Sequence, residues 1–225
     1  MVLRVLDALG TADEVDRRIL CGPPQSVIDQ RKDLRSLISS GGVRWVENQQ
    51  TPAASTYSVL QSLENVAPVL VTTADHALLT AQIVDTFCAQ ARNSGGDIAV
   101  GLALHESVLA AFPNTQRTAT KLRDAAYCSC NLFAFLTPRA HQLADMWRRV
   151  EQERKKPLRV ISVLGWVAVL RYLTGRLTLA EAEKRILRRL GIHARAVILP
   201  FPEAAVDIDT VDDWKFVETI VGKKL

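Results

Sequence analysis

The sequence predicts an α/β domain with a largely parallel sheet. Strand-like and helix-period segments alternate along the chain, as they do where neighbouring strands are joined by helical crossovers. Residues 66–72 (VAPVLVT) form a nearly continuous β-branched and apolar run, as in strands covered on both faces. The composition, 225 residues with 48% hydrophobic and 23% charged, is globular and long enough to build a core without staples.

The elements follow in order. Residues 2–9 place Val2, Val5, Leu6 and Leu9 on one helix face. Residues 18–21 are a short strand closed by Gly22-Pro23-Pro24. Residues 26–38 return to helical spacing, 43–46 form a short strand, and 56–63 a helix capped by Ser55 or Thr56. After the 66–72 strand, Thr80 caps a helix over 81–91. Strands are expected at 97–104, 118–123 and 131–135, and a helix at 140–153. Thr178 and Glu181 make a capping box, opening a helix that Gly191 stops. Residues 194–199 are a strand, and Thr210-Val211-Asp212-Asp213 opens a last helix through 221. The chain has no repeat and no linker, so it is expected to be one domain, with 140–192 as a helical insertion.

The four cysteines, Cys21, Cys88, Cys128 and Cys130, make no CxxC pair, which argues against a disulfide framework or structural zinc. The longest apolar stretch, 160–173, is broken by Gly165 and Arg171 and falls short of the roughly 20 residues a membrane span needs. Without a leader-like start at Met1, the expected location is the cytoplasm. Residues 1–150 balance 14 basic against 14 acidic side chains, so the net charge of +4 belongs to the last 75. There, 154–195 carries eleven basic residues, and 203–213 carries five acidic ones and no basic one. One reading is phosphates on the first block and a metal on the second; the other is a solvated helix face followed by a helix start. No groove-reading motif or basic–aromatic interleaving appears, which disfavours nucleic acid.

Few residues can carry chemistry. Asp75 follows the 66–72 strand just before a helix, and ligands of parallel α/β sheets lie at the carboxyl ends of strands. A carboxylate there suits a hard cation such as Mg²⁺, although a loop Asp can also simply accept backbone hydrogen bonds. Asp207 and Asp209 are two apart, on one face if extended, and their repulsion calls for a cation or a basic partner. Their alternative role, shared by Asp212 and Asp213, is to decorate a helix N-terminus. Lys156, within Arg154-Lys155-Lys156 and near Arg159, is a candidate phosphate contact. Arg117, Lys121 and Arg123 would share a strand face that binds anions or faces solvent. Tyr127 and Asn131 are candidate ligand contacts, and His76 adjoins Asp75. Cys128 and Cys130 are packing residues.

Taken together, these segments resemble a known family. VLVTTADHALLTAQIVDTF is similar to the strand–Asp–helix segment of the nucleotidyltransferases related to molybdenum-cofactor guanylyltransferase, the MobA-like NTP transferases. VDIDTVDDWKFVE resembles their C-terminal signature, with Val211 in place of the usual Pro and Asp212-Asp213-Trp214 in place of Glu-Asp-Leu. MVLRVLDAL resembles the helix after their Gly-x-Pro turn, and CNLFAF the strand lining their acceptor site. The resemblance implies a Rossmann-like three-layer sandwich and Mg²⁺-assisted transfer of an NMP from an NTP to a phosphorylated or hydroxyl small-molecule acceptor. It implies Asp75 and Asp209 or Asp207 as metal ligands, with Lys121, Arg123, Tyr127, Asn131 and Lys156 toward substrate. The family's Gly-rich, triphosphate-wrapping loop has no counterpart here. The expectation is therefore an N-terminally shortened chain of reduced activity, with an exposed sheet flank that invites a homodimer. The competing expectations are a glycosyltransferase-like enzyme using a nucleotide sugar and a non-catalytic relative.

Overall fold

A computed structural model describes residues 1–64, 66–113, 115, 117–152 and 165–222. Its central sheet has the order β3 (Val69–Thr72), β6 (Ala126–Phe135), β4 (Ile98–Leu104), β7 (Ala194–Ile198). β4 and β7 are parallel, and β6 runs antiparallel to both β3 and β4. β3, β4 and β7 therefore point the same way, with one reversed strand among them. β5 (Thr120–Lys121) adds a short hairpin to β6. A separate parallel pair joins β1 (Ile19–Gly22) to β2 (Arg44–Glu47).

Helices cover both faces of the central sheet. On one side, Val5 and Ala8 of α1 (Val2–Thr11) and Ile83, Val84 and Phe87 of α5 (Ala81–Asn93) pack on Ala99, Ala103, Cys128, Cys130 and Leu132. Val108 of the short α6 (His105–Ala111) joins the same core. On the other side, Leu60 of α4 (Pro52–Ser62) and Ala144 of α7 (His141–Gln152) meet Ile98 and Phe135. The side assignment follows the two-residue period of the strands: Cys128, Cys130, Leu132 and Ala134 face one layer, Phe133 and Phe135 the other. The result is a three-layer α/β sandwich, and Cys128 and Cys130 are core residues in it. The small β1–β2 sheet packs on α2 (Gln25–Gln30) and α3 (Lys32–Ser39) through Leu20, Ile28, Leu34 and Val43.

Several boundaries differ from expectation for local reasons. The helix expected over 26–38 is two, because Arg31 is extended (φ −107°, ψ 97°) and Asp33 starts a new first turn, where its charge suits the helix dipole. The α4 cap is Thr51 rather than Ser55 or Thr56, since Pro52 suits the first helical position and the Thr51 hydroxyl accepts from Ala54 N at 3.2 Å. The strand expected over 118–123 shrinks to Thr120–Lys121, and Arg117 lies outside it, so Arg117, Lys121 and Arg123 do not share a strand face. β3 is only half-buried along its length, as suits a strand with one described neighbour. Between β6 and β7 the described chain is helical: α7, α8 (Trp166–Leu173) and α9 (Leu179–Leu190). Among the described residues, no helix is long and apolar enough to cross a membrane.

Candidate active site

The arrangement at the carboxyl end of β3 is set by a small apolar core. After β3 the chain turns through Asp75, and Ala77 and Leu78 plunge into a small core with Val206 and Val217. Val206 precedes the acidic stretch; Val217 belongs to α10 (Val211–Val221), whose Phe216 meets Phe112 edge-on at 5.5 Å. Buried at 0% exposure, Ala77, Val206 and Val217 hold residues 75 and 207–209 side by side although 132 positions separate Asp75 from Asp207. The backbone closes the join: Ile208 N donates to the Asp75 carbonyl at 3.2 Å.

The carboxylates have different surroundings. Asp75 Oδ1 accepts from the Thr73 hydroxyl. Asp207 is fully engaged: Arg117 Nη1 donates to its Oδ1 at 2.6 Å and to its carbonyl at 2.9 Å, and Asn131 Nδ2 donates to its Oδ2 at 3.0 Å. Arg117 also reaches Asp213 Oδ1 at 3.0 Å, and its side chain is only 7% exposed. Asp213 closes the capping box with Thr210. Burial pushes Asp213 up, but the Thr210 hydroxyl and the Arg117 charge outweigh it and hold the carboxyl below its usual range. Asp209 moves the other way. The Asp207 charge, then burial, then Asp75 and Asp213 raise its pKa against the pull of Arg117.

Asn131 arrives by a strand irregularity. The β4–β6 register shifts between Val100 and Leu102, leaving extra β6 residues opposite Gly101, and Asn131 takes a positive φ of 50°. Asn tolerates that conformation better than most residues, and such bulges re-aim side chains beside sites. Gly101 makes room: a Cβ there would lie 3.1 Å from Leu132 Cβ and 3.4 Å from Cys130 Cβ.

His76 is buried beside Asp75. It is 1% exposed, its Nδ1 is 3.4 Å from the Thr72 hydroxyl, and burial lowers its pKa to about 4. It is a neutral packing residue at neutral pH.

The structure thus brings together Asp75, Asp207, Asp209 and Asn131. Tyr127 is separated from Asn131 by no more than about 13 Å of extended chain. It is buried, and burial and then the Asp124 carboxylate raise its pKa. Lys121 and Arg123 are exposed at the β5–β6 tip. Lys156, with Arg154, Lys155 and Arg159, lies outside the described residues. Sequence reasoning missed Arg117 as the carboxylate clamp and Asp213 as its second partner. Their separations of 90 and 96 residues leave no local pattern to find.

The donor chemistry suits a hard cation, but the ligand count is short. Among the described residues, no three His, Cys, Asp or Glu side chains form a ready ligand set. Mg²⁺ commonly uses one or two carboxylates, with waters and substrate phosphates completing its shell, so Asp75 with Asp209 fits it, and Asp207, spent on Arg117 and Asn131, is the poorer donor.

The MobA-like NTP transferase domain matches residues 1–195. A hypothetical transferase from Thermus thermophilus is 29% identical, with a TM-score of 0.76 over 95% of this chain and 85% of that one. The CMP:2-keto-3-deoxy-manno-octonic acid synthetase complexed with CTP shares the fold at TM-score 0.57 and 12% identity, over 100% of this chain and 88% of that one. So does the 2-C-methyl-D-erythritol 4-phosphate cytidylyltransferase from Thermus thermophilus, at TM-score 0.52 and 15% identity, over 98% and 89%. No curated protein matches the chain. The chain belongs to the MobA-like NTP transferase family, a family of nucleotidyltransferases.

Proposed function

We propose that this protein moves an NMP from an NTP to a small-molecule acceptor, with Asp75 and Asp209 holding Mg²⁺. An acceptor oxygen bonds to the α-phosphorus, the bond from that phosphorus to the bridging oxygen breaks, and pyrophosphate leaves. Bound Mg²⁺ would neutralise charge on the phosphates. Asn131 and Arg117 hold Asp207 and so fix the loop that carries Asp209. Thr73 orients Asp75.

The observation that carries the proposal is the convergence of Asp75 with the 207–209 stretch at one strand end, where Ile208 N donates to the Asp75 carbonyl at 3.2 Å and the Asp207 charge raises the Asp209 pKa. Like charges gathered at a strand end without enough internal partners are stabilised by a cation.

The test is pyrophosphate release from each NTP with Mg²⁺ and a panel of sugar and polyol phosphates. Release that depends on an acceptor and is lost in Asp75→Asn supports the proposal. No release and no nucleotide binding with any NTP overturns it. Transfer from a nucleotide sugar without pyrophosphate would favour a glycosyltransferase instead.

A further inference from the structure

We infer that a second, basic cleft binds the phosphate group of a small phosphorylated ligand. The cleft, of about 550 Å³, is lined by Arg123, Leu170, Arg171, Thr174, Gly175 and Arg176 and contains none of Asp75, Asp207 or Asp209.

The chain builds it from two turns. The β5–β6 tip presents Arg123, whose backbone N–H donates to the Leu177 carbonyl at 2.8 Å. The adjacent Asp124 carboxylate accepts from Leu179 N at 3.1 Å, at the N-terminus of α9. The tip is thereby pinned to the α8–α9 link. That link turns at Gly175, whose φ of +64° favours glycine, and Arg176 N and Leu177 N donate back to the Arg171 carbonyl at 2.7 and 3.1 Å.

The nearby acids are already used. Asp124 is spent on backbone N–H. Glu181 accepts from Arg171 at 2.6 Å and from Thr178 N at 3.2 Å. Arg171 is therefore compensated, and it also braces the link by donating to the Arg176 carbonyl at 3.2 Å. Arg123 and Arg176 have no carboxylate partner among the described residues. Two uncompensated guanidiniums lining one concave surface present the planar donor forks that phosphate oxygens accept. A carboxylate ligand would use the same forks but offers fewer acceptors and less charge.

The placement sets this cleft apart from the acidic site. Leu104, the last residue of β4, pairs with Tyr127, and Thr120 pairs with Tyr127 from the other side. The hairpin tip thus projects beyond the carboxyl end of β4, at the end of the sheet where Asp75 lies. Asn131, which holds Asp207, lies seven residues along the chain from Asp124 at the tip, roughly 20 Å of extended strand, so a phosphate seated between Arg123 and Arg176 occupies a site of its own.

Inorganic phosphate and glycerol 3-phosphate, titrated into the full chain by calorimetry with glycerol as control, test the inference. Both anions should bind and glycerol should not. Arg123→Ala with Arg176→Ala should weaken phosphate binding by about tenfold or more, and the paired lysine variants should restore most of it. Both positions are exposed, so the variants should fold. Equal phosphate affinity in the alanine pair, no phosphate binding by the wild type, or phosphate competing with NTP for one site would each overturn the cleft. NTP binding is measured on the same wild-type samples. If no NTP binds while arginine-dependent phosphate binding persists, nucleotidyl transfer fails and the anion site stands. If NTP binds and phosphate ignores the arginines, the reverse holds.

Discussion

Acidic side chains stand at both ends of the central sheet, and the two ends treat them in opposite ways. At the amino end, Asp97 precedes β4 with both oxygens satisfied: the Thr137 hydroxyl donates to one at 2.8 Å and His193 N to the other at 2.9 Å. It ties the end of β6 to the start of β7, and these bonds, the His193 backbone first and Thr137 second, hold its pKa below the usual range. At the carboxyl end, Arg117 and Asn131 serve Asp207 and, for the arginine, Asp213, while Asp75 has the Thr73 hydroxyl and Asp209 is raised by its acidic neighbours. A carboxylate whose needs the fold meets is structural. Carboxylates that the fold gathers and leaves repelling one another are the ones the proposed Mg²⁺ would serve.

The largest expected effect separates these roles by activity. Asp75→Asn should lower the rate of nucleotidyl transfer on the order of 10³-fold, equal to about 4 kcal/mol of barrier, with little change in unfolding midpoint. Retained kcat/KM would remove Asp75 from the chemistry and erase the contrast.

Next is the clamp that borders the reactive end. Arg117→Ala leaves Asp207 and Asp213 without their guanidinium and should cost roughly 3 kcal/mol in urea unfolding. Arg117→Lys should recover less than half of this, because an ammonium does not reproduce a fork spanning two carboxylates. Full recovery by lysine would reduce Arg117 to a point charge.

At the structural end, Asp97→Asn places an amide N–H₂ where one carboxylate oxygen now accepts, and should cost roughly 2 kcal/mol. The pH dependence has a definite sign. The Asp97 pKa is lower folded than unfolded, so its stabilisation is complete above the ordinary carboxylate range and is lost as pH falls through the lowered value. Acid unfolding of the variant should therefore lack that component. An unchanged acid limb would show that Asp97 is not the tie.

The smallest effect has the opposite direction. The Asp209 pKa is raised, so its charge starts to oppose folding as pH rises through the ordinary carboxylate range and does so fully above the raised folded value. Asp209→Asn should raise stability at neutral pH, by less than about 1 kcal/mol because the side chain is exposed, while lowering transfer activity. Lower stability in Asp209→Asn would indicate that Asp209 is held internally, as Asp97 is.

Local chemistry made much of the fold legible. Thr80, Thr178 and Thr210 each cap the helix expected of them, and Gly191 ends α9 in the left-handed conformation. These signals act within one helical turn, so neighbouring residues suffice to state them. The reversal of β6 was not legible. Its apolar residues alternate alike whichever way it runs, and strand direction depends on partners far along the chain. Arg117 was misplaced for a related reason: basic side chains at odd positions of 117–123 look like a strand face, but two distant carboxylates outweigh the local pattern.

By itself, the sequence determined the alternation of elements, the caps at Thr80, Thr178 and Thr210, the family, and the proposal that Asp75 and the 207–209 stretch act together. Each of these rests on short-range periodicity or on motifs of adjacent residues. Only the tertiary structure decided which acids are satisfied. Ala77, Val206 and Val217 pull two distant segments into one small core, and the β6 irregularity turns Asn131 toward Asp207. Arg117 reaches Asp207, Arg171 reaches Glu181, and Arg123 and Arg176 line one cleft without a carboxylate partner among the described residues. The formal charges can be counted along the chain, but their compensation depends on distances of a few ångströms that only folding creates.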